Sequence, residues 1–235
     1  IVYMHWNEGN WKTPNHCKYQ DRWVVNYWMT GLILRMRYAA RSPRTRTQPA
    51  SKVAPKRYVE VGSGYSTKFA RRAIRELGLA TKITSIDPHP RAEVDALCDT
   101  VLRRPLQDLT ETAVFDQLEP GDIFFIDCSH VCLTNSDVAV AFLEILPRLK
   151  PGVLVQVHDI LLPYDYPPQW GERYYSEQYL LAFALLEESA GFEVVLPNAY
   201  VSGDPELSQV LAPLWRHPAM AGVDGGGGLS FWLRT

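Results

Sequence analysis

Cysteine is scarce in this chain. The four residues Cys17, Cys98, Cys128 and Cys132 form no CxxC pair in 235 residues. Neither a disulfide framework nor a paired-thiolate zinc knuckle is expected, and a reducing, cytoplasmic setting is the simplest one. Cys128, His130 and Cys132 alternate like ligands, but Asp127-Cys128-Ser129 reads as a turn after a strand, which aims them apart. Long apolar runs are missing too. Runs such as Ile123–Ile126 are the length of a strand, and no membrane span is expected. Nor is there an excess of positive charge: Lys+Arg number 24 against Asp+Glu 26, for a net charge of -2. That balance leaves no electrostatic footprint for nucleic acid or a membrane surface. The first residue is Ile1 rather than Met, which leaves an upstream segment, a removed signal peptide included, open.

What is present is the usage of a folded chain. Hydrophobic residues make up 46% and charged residues 21%, which excludes a disordered polyelectrolyte and allows one continuous core. Residues 1–56 differ from the rest. Trp6, Trp11, Tyr19, Trp23, Tyr27 and Trp28 crowd a start that turns helix-like over Trp23–Tyr38. Basic Arg41–Lys56 follows, with Pro43, Pro49 and Pro55. The segment reads as an aromatic-rich cap, packed on the main domain or lying over a ligand, joined by a solvated linker.

From Arg57 onward strands and helices alternate. Strands are expected at Arg57–Val61, Lys82–Ile86, Thr100–Arg103, Asp122–Ile126 and Val153–Val157. Helices are expected at Ser66–Leu77, Arg91–Leu97, Glu111–Leu118 and Asp137–Leu149, the last capped by Asn135 or Ser136. A helix over Glu177–Ala190 and strands at Phe192–Leu196 and Leu229–Leu233 end the chain, with the Gly225–Gly228 run as a loop. Strands that are apolar throughout must be covered on both faces. The expectation is an α/β fold: a doubly wound, mostly parallel, seven-stranded Rossmann-like sheet over residues 57–235, with a C-terminal antiparallel hairpin.

Glu60-Val61-Gly62-Ser63-Gly64-Tyr65-Ser66 joins the first strand to its helix, where an open α/β sheet presents its ligand crevice. Glycine lets a backbone approach a ligand closely, and the helix N-terminus offers free N–H groups. Thr67 stands where a dinucleotide loop carries its third glycine, and no GK[ST] occurs, which disfavours a pyrophosphate loop and excludes a P-loop. Asp87, at the end of the second strand, can accept from both hydroxyls of a ribose. Glu60 ahead of the glycines suits a cationic ligand, such as a sulfonium with an amino-acid tail, better than a phosphate. The run Glu60–Thr67 resembles the first motif of class I S-adenosylmethionine-dependent methyltransferases, especially the branch with an E-x-G-S-G-x-S-T signature. The resemblance covers about three-quarters of the chain, counted from Arg57. It implies that Glu60, Gly62, Ser63, Gly64, Tyr65 and Ser66 line the S-adenosylmethionine site. Asp87 would hold the ribose, Asp108 would lie near the adenine, and Asp127 would also reach the cofactor.

Two further clusters fall at strand C-termini: Asp127-Cys128-Ser129-His130 and His158-Asp159. Adjacent parallel strands would bring Asp127 and Asp159 together. Carboxylates with an imidazole can hold a divalent cation, magnesium or a similar ion, through Asp127, His158 and Asp159. His130, His158 and Asp127 are the expected catalytic groups, with an imidazole as general base. These clusters resemble the D-x-S-H and (E/H)-D elements of a branch that includes metal-dependent sugar and catechol O-methyltransferases; His158 stands where its metal-dependent members are usually acidic. The loop from Leu162 to Trp170, with Arg173, Tyr174, Glu177 and Gln178, carries aromatics that could stack on an acceptor or pack on one another. The expected activity is methyl transfer to an oxygen of a small-molecule acceptor, in a chain that could form a homo-oligomer. A nicotinamide-dependent oxidoreductase, a non-catalytic cofactor-binding protein and a hydroxylase-like relative stay open as alternatives.

Overall fold

A computed structural model describes residues 54–110, 112–187, 191–212, 216 and 228–235. The aromatic-rich start, most of the basic linker and Gly225–Gly227 lie outside the described residues. Seven strands, β1 (Arg57–Val61), β2 (Lys82–Ile86), β3 (Thr100–Leu102), β4 (Ile123–Ile126), β5 (Leu154–Val157), β6 (Glu193–Pro197) and β7 (Phe231–Arg234), form one sheet in the order β3-β2-β1-β4-β5-β7-β6. The first five pair in parallel. β7 enters between β5 and β6 and runs antiparallel to both, with a register shift between Val194 and Leu196. The expected hairpin is present, and its first strand takes the edge.

Alternation along the strands builds the core on both sides of the sheet. Val59, Phe124, Ile126, Val155, Val157 and Leu233 join one cluster, while Tyr58, Phe125, Leu154 and Trp232 join another with Ala70 and Ile74. β4 is buried at all four positions, as a central parallel strand covered on both faces must be.

Among the described residues five α-helices cover or flank the sheet: α1 (Tyr65–Leu77), α2 (Ala113–Asp116), α3 (Asp137–Val140), α4 (Glu177–Leu186) and α5 (Asn198–Gly203). α1 ends on Gly78 in the left-handed conformation, the stop that glycine favours. Beyond its first turn, α3 widens to a π-turn over Ala141–Ile145 and tightens to a 3-10 turn over Leu146–Arg148. Pro147 lies in that last turn and has no N–H to continue an α ladder. The expected helix at Arg91–Leu97 shrinks to a 3-10 turn over Asp95–Leu97. Pro88 and Pro90 stand just before it and bias the preceding residues toward extended backbone. The stretch after β5 is only partly a loop, since Pro168–Arg173 winds into a 3-10 helix.

Candidate active site

The glycine loop is fixed by its neighbours on both sides. Gly62 donates its N–H to Ile86 O at 3.0 Å, and Asp127 donates to Val61 O at 2.9 Å. Gly62 has φ +79, and a Cβ there would stand 1.7 Å from the carbonyl oxygen of Asp127. Only glycine fits both the conformation and the space. Asp87 then ties the loop to the second strand. Its Oδ2 accepts from Ser63 N at 2.7 Å and Ser63 Oγ at 3.0 Å, and its Oδ1 accepts from His89 N at 2.8 Å.

Glu60 turns under the start of α1. It is fully buried and accepts from Ser66 Oγ at 3.1 Å, from Tyr58 Oη at 3.3 Å and from Thr67 Oγ1. Thr67 Oγ1 accepts in turn from Gly64 N at 3.2 Å, so Glu60 acts on the loop through a hydroxyl. Burial pushes its carboxyl up to about 8, against the pull of the three hydroxyl donors. Tyr65 opens α1, and Lys68 lies over its ring at 5.3 Å. Asp108 sits exposed in the 3-10 turn Leu106–Asp108 after β3. Among the described residues no hydrogen bond or ion pair ties its side chain to the glycine loop.

The ends of β4 and β5 meet as adjacent parallel strands require. His130 Nε2 lies 3.2 Å from Asp127 Oδ1 and 3.7 Å from Asp159 Oδ2. His158 Nδ1 lies 3.1 Å from Asp159 Oδ1 and 3.6 Å from Asp127 Oδ1. All four residues are buried. His130 and Asp159 have φ of +63 and +53, a region that side chains other than glycine rarely adopt and that gathers at functional sites.

Electrostatics follow from burial and mutual charge. Burial alone would raise Asp127, but His158 and His130 outweigh it and hold the carboxyl well below its usual range. Burial would likewise lower His130, yet Glu177 and Asp127 keep it protonated well above the usual range. His158 is raised by Asp127 and Asp159 against its burial, and Asp159 is lowered by His158 and His130 against its own. Asp127, His130 and His158 each offer one donor atom, and these atoms lie within 4.8 Å of one another. Asp159 adjoins that set, bonded to His158. Cys128 and Cys132 do not join it.

The first turn of α4 closes the site from a third direction. Glu177, fully buried, contacts His130 Nδ1 through Oε1. Ser176 N donates to His130 O at 2.8 Å, Cys132 N donates to Ser176 Oγ at 2.8 Å, and Leu161 N donates to Gln178 Oε1 at 3.1 Å. The sequence places Glu177 only in the acceptor loop. Its signal is faint: one acid in the first turn of an otherwise apolar helix, which ordinarily just complements the helix dipole. The expected Trp170 and Arg173 gather beside it with Tyr175, which the sequence did not single out, while the expected Tyr174 is exposed. Tyr175 lies 4.5 Å from the His130 ring, Trp170 packs edge-on to Tyr175 at 5.5 Å, and Arg173 lies over Trp170 at 4.2 Å.

Residues 59–160 match the family model described as "Methyltransferase domain". A crystal structure described as a "putative sarcosine dimethylglycine methyltransferase" from Galdieria sulphuraria is similar at 13% identity, over 92% of this chain and 84% of that one, with a TM-score of 0.41. No curated protein matches this chain. The matched segment runs from β1 through the glycine loop to the His158-Asp159 pair, and over those residues this chain is similar to a methyltransferase domain.

Proposed function

We propose that this chain moves the methyl group of S-adenosylmethionine to an oxygen of a small-molecule acceptor, assisted by a divalent ion. One observation carries the reading. Beside the glycine loop, three buried carboxylates (Asp127, Asp159 and Glu177) face two imidazoles (His130 and His158). A buried site with more acids than bases favours a cationic occupant.

The loop from Gly62 to Ser66, with Asp87 for the ribose and Asp108 near the adenine, would hold the cofactor, which supplies an electrophilic methyl on a sulfonium. Asp127, His130 and His158, joined by Asp159, would hold the ion. Mixed imidazole and carboxylate donors suit a first-row ion such as Mn2+ or Zn2+ better than Mg2+. When bound, such an ion lowers the pKa of an acceptor hydroxyl. The chain's own part is to align acceptor and sulfonium, with whichever imidazole stands neutral and off the ion receiving the hydroxyl proton. Trp170, Tyr175 and Arg173 would form the acceptor's wall. In the same reading residues 1–56 cap the domain of residues 57–235, in a cytoplasmic chain that could form a homo-oligomer.

The test is calorimetric titration with S-adenosylhomocysteine, with and without Mn2+, on wild type and on Asp87→Ala. It is followed by methyl-transfer assays on catechol and sugar acceptors. We expect binding that falls at least about tenfold in the variant, a loss of roughly 1.4 kcal/mol, and turnover that Mn2+ raises. Folded wild-type protein that binds no S-adenosylhomocysteine would refute the cofactor assignment. Turnover indifferent to added metal and to chelator would refute the ion.

A further inference from the structure

We propose that Glu177 is the positioning residue of His130, holding its Nδ1 so that Nε2 is presented to Asp127 and Asp159. The inference rests on reading the β4 and β5 ends as the reactive centre, and it adds a residue from outside the matched segment 59–160. An imidazole free to flip presents either nitrogen; a carboxylate on one nitrogen fixes the ring and selects the other. Here Glu177 Oε1 meets Nδ1 while Nε2 stands 3.2 Å from Asp127 and 3.7 Å from Asp159.

Three observations separate this role from helix capping. Glu177 is fully buried rather than turned to solvent beside the helix end. Its second oxygen, Oε2, is buried with no hydrogen-bond partner among the described residues, so the carboxylate is not taken up by a wider structural network. A buried acid with one partner is costly to fold around, and that partner is His130. Finally, the backbone on both sides is clamped: Ser176 N donates to His130 O, and Cys132 N to Ser176 Oγ. α4 and the loop after β4 therefore hold the pair as one unit, 47 residues apart in sequence.

The experiment compares wild type with Glu177→Ala, Glu177→Gln and Leu181→Val. The last variant loosens the same helix in the core without touching His130. Imidazole nitrogen and proton NMR shifts are recorded for the six histidines, with His130 assigned by a His130→Asn variant. Each protein is then titrated with Co2+, followed by its visible absorption.

The expected result is a strongly downfield Nδ1 proton on His130 in wild type and Leu181→Val. It is shifted in Glu177→Gln and lost in Glu177→Ala. Co2+ affinity should fall about 10–100-fold in Glu177→Ala and stay near wild type in Leu181→Val. Should Glu177→Ala fail to fold, Glu177→Gln carries the test. His130 signals that ignore Glu177, or that change equally in Leu181→Val, overturn the proposal. Signals that follow Glu177 in a wild type that takes no Co2+ uphold the positioning role and refute the metal reading instead.

Discussion

Gly62 is the most constrained residue of the site. Its positive φ and the carbonyl of Asp127 at 1.7 Å from a notional Cβ act together. The neighbour is backbone of a central strand end and cannot move aside. Gly62→Ala should destabilise the fold by about 3 kcal/mol or more, visible as a lower urea midpoint; an unchanged midpoint would show that the loop can relax away from β4. Glu60 makes a different prediction. Its carboxyl is pushed up to about 8 in the folded chain by burial, from a value of 4.5. The folded state therefore keeps a proton that the unfolded state loses first. Its stabilising effect is complete below the unfolded value and is lost as pH rises through the folded one. Glu60→Gln has no such proton to lose, so its stability should vary less than wild type between about pH 5 and about pH 8. Urea unfolding across that interval checks it, and parallel profiles would remove Glu60 from the account.

Among the elements, α3 shows how local chemistry sets a boundary. Ser136 Oγ accepts from Ala139 N at 3.1 Å and from Leu133 N at 3.1 Å. Ser136→Ala should therefore cost about 1 kcal/mol, read from the denaturant midpoint at an unchanged m-value. No loss would mean that water replaces the hydroxyl. Such boundaries are legible in sequence because caps, glycine stops and turns depend on a few adjacent residues; Ser136, and Gly78 after α1, are examples. The stretch at Arg91–Leu97 is less legible. Its residues favour helix, but Pro88 and Pro90 constrain the entry, and the Arg103–Asp95 ion pair draws the turn toward β3. Glu177 is harder still, since an acid at a helix start looks the same whether it faces water or a buried imidazole.

At the scale of the molecule, the last strand is decisive. β7 lies between β5 and β6, and Trp232, opposite Gln156, is fully buried. Trp232→Ala should cost about 3–5 kcal/mol and lower the thermal midpoint measured by scanning calorimetry. A small shift would mean that the two strands contribute little to the core. Thr235 also closes the far end of the sheet, where Gly152 N donates to Thr235 O at 2.6 Å. Thr235 is thus tied by its backbone to the start of β5, one of the strands that carry the site.

The sequence by itself determined the alternation of strands and helices, the glycine loop after β1, Asp87 at the end of β2 and the two clusters at the ends of β4 and β5. Each of these depends on periodicity or turn chemistry within a few residues, and short-range backbone sterics act identically in any context. The tertiary structure alone decided that β7 passes between β5 and β6, that Glu60 turns beneath α1, and that Glu177 reaches His130. The first and the last of those outcomes join residues far apart in the chain, and the second turns a side chain inward within a few residues. They are set by which apolar faces bury one another, and a buried charge then takes the partner that packing brings within reach.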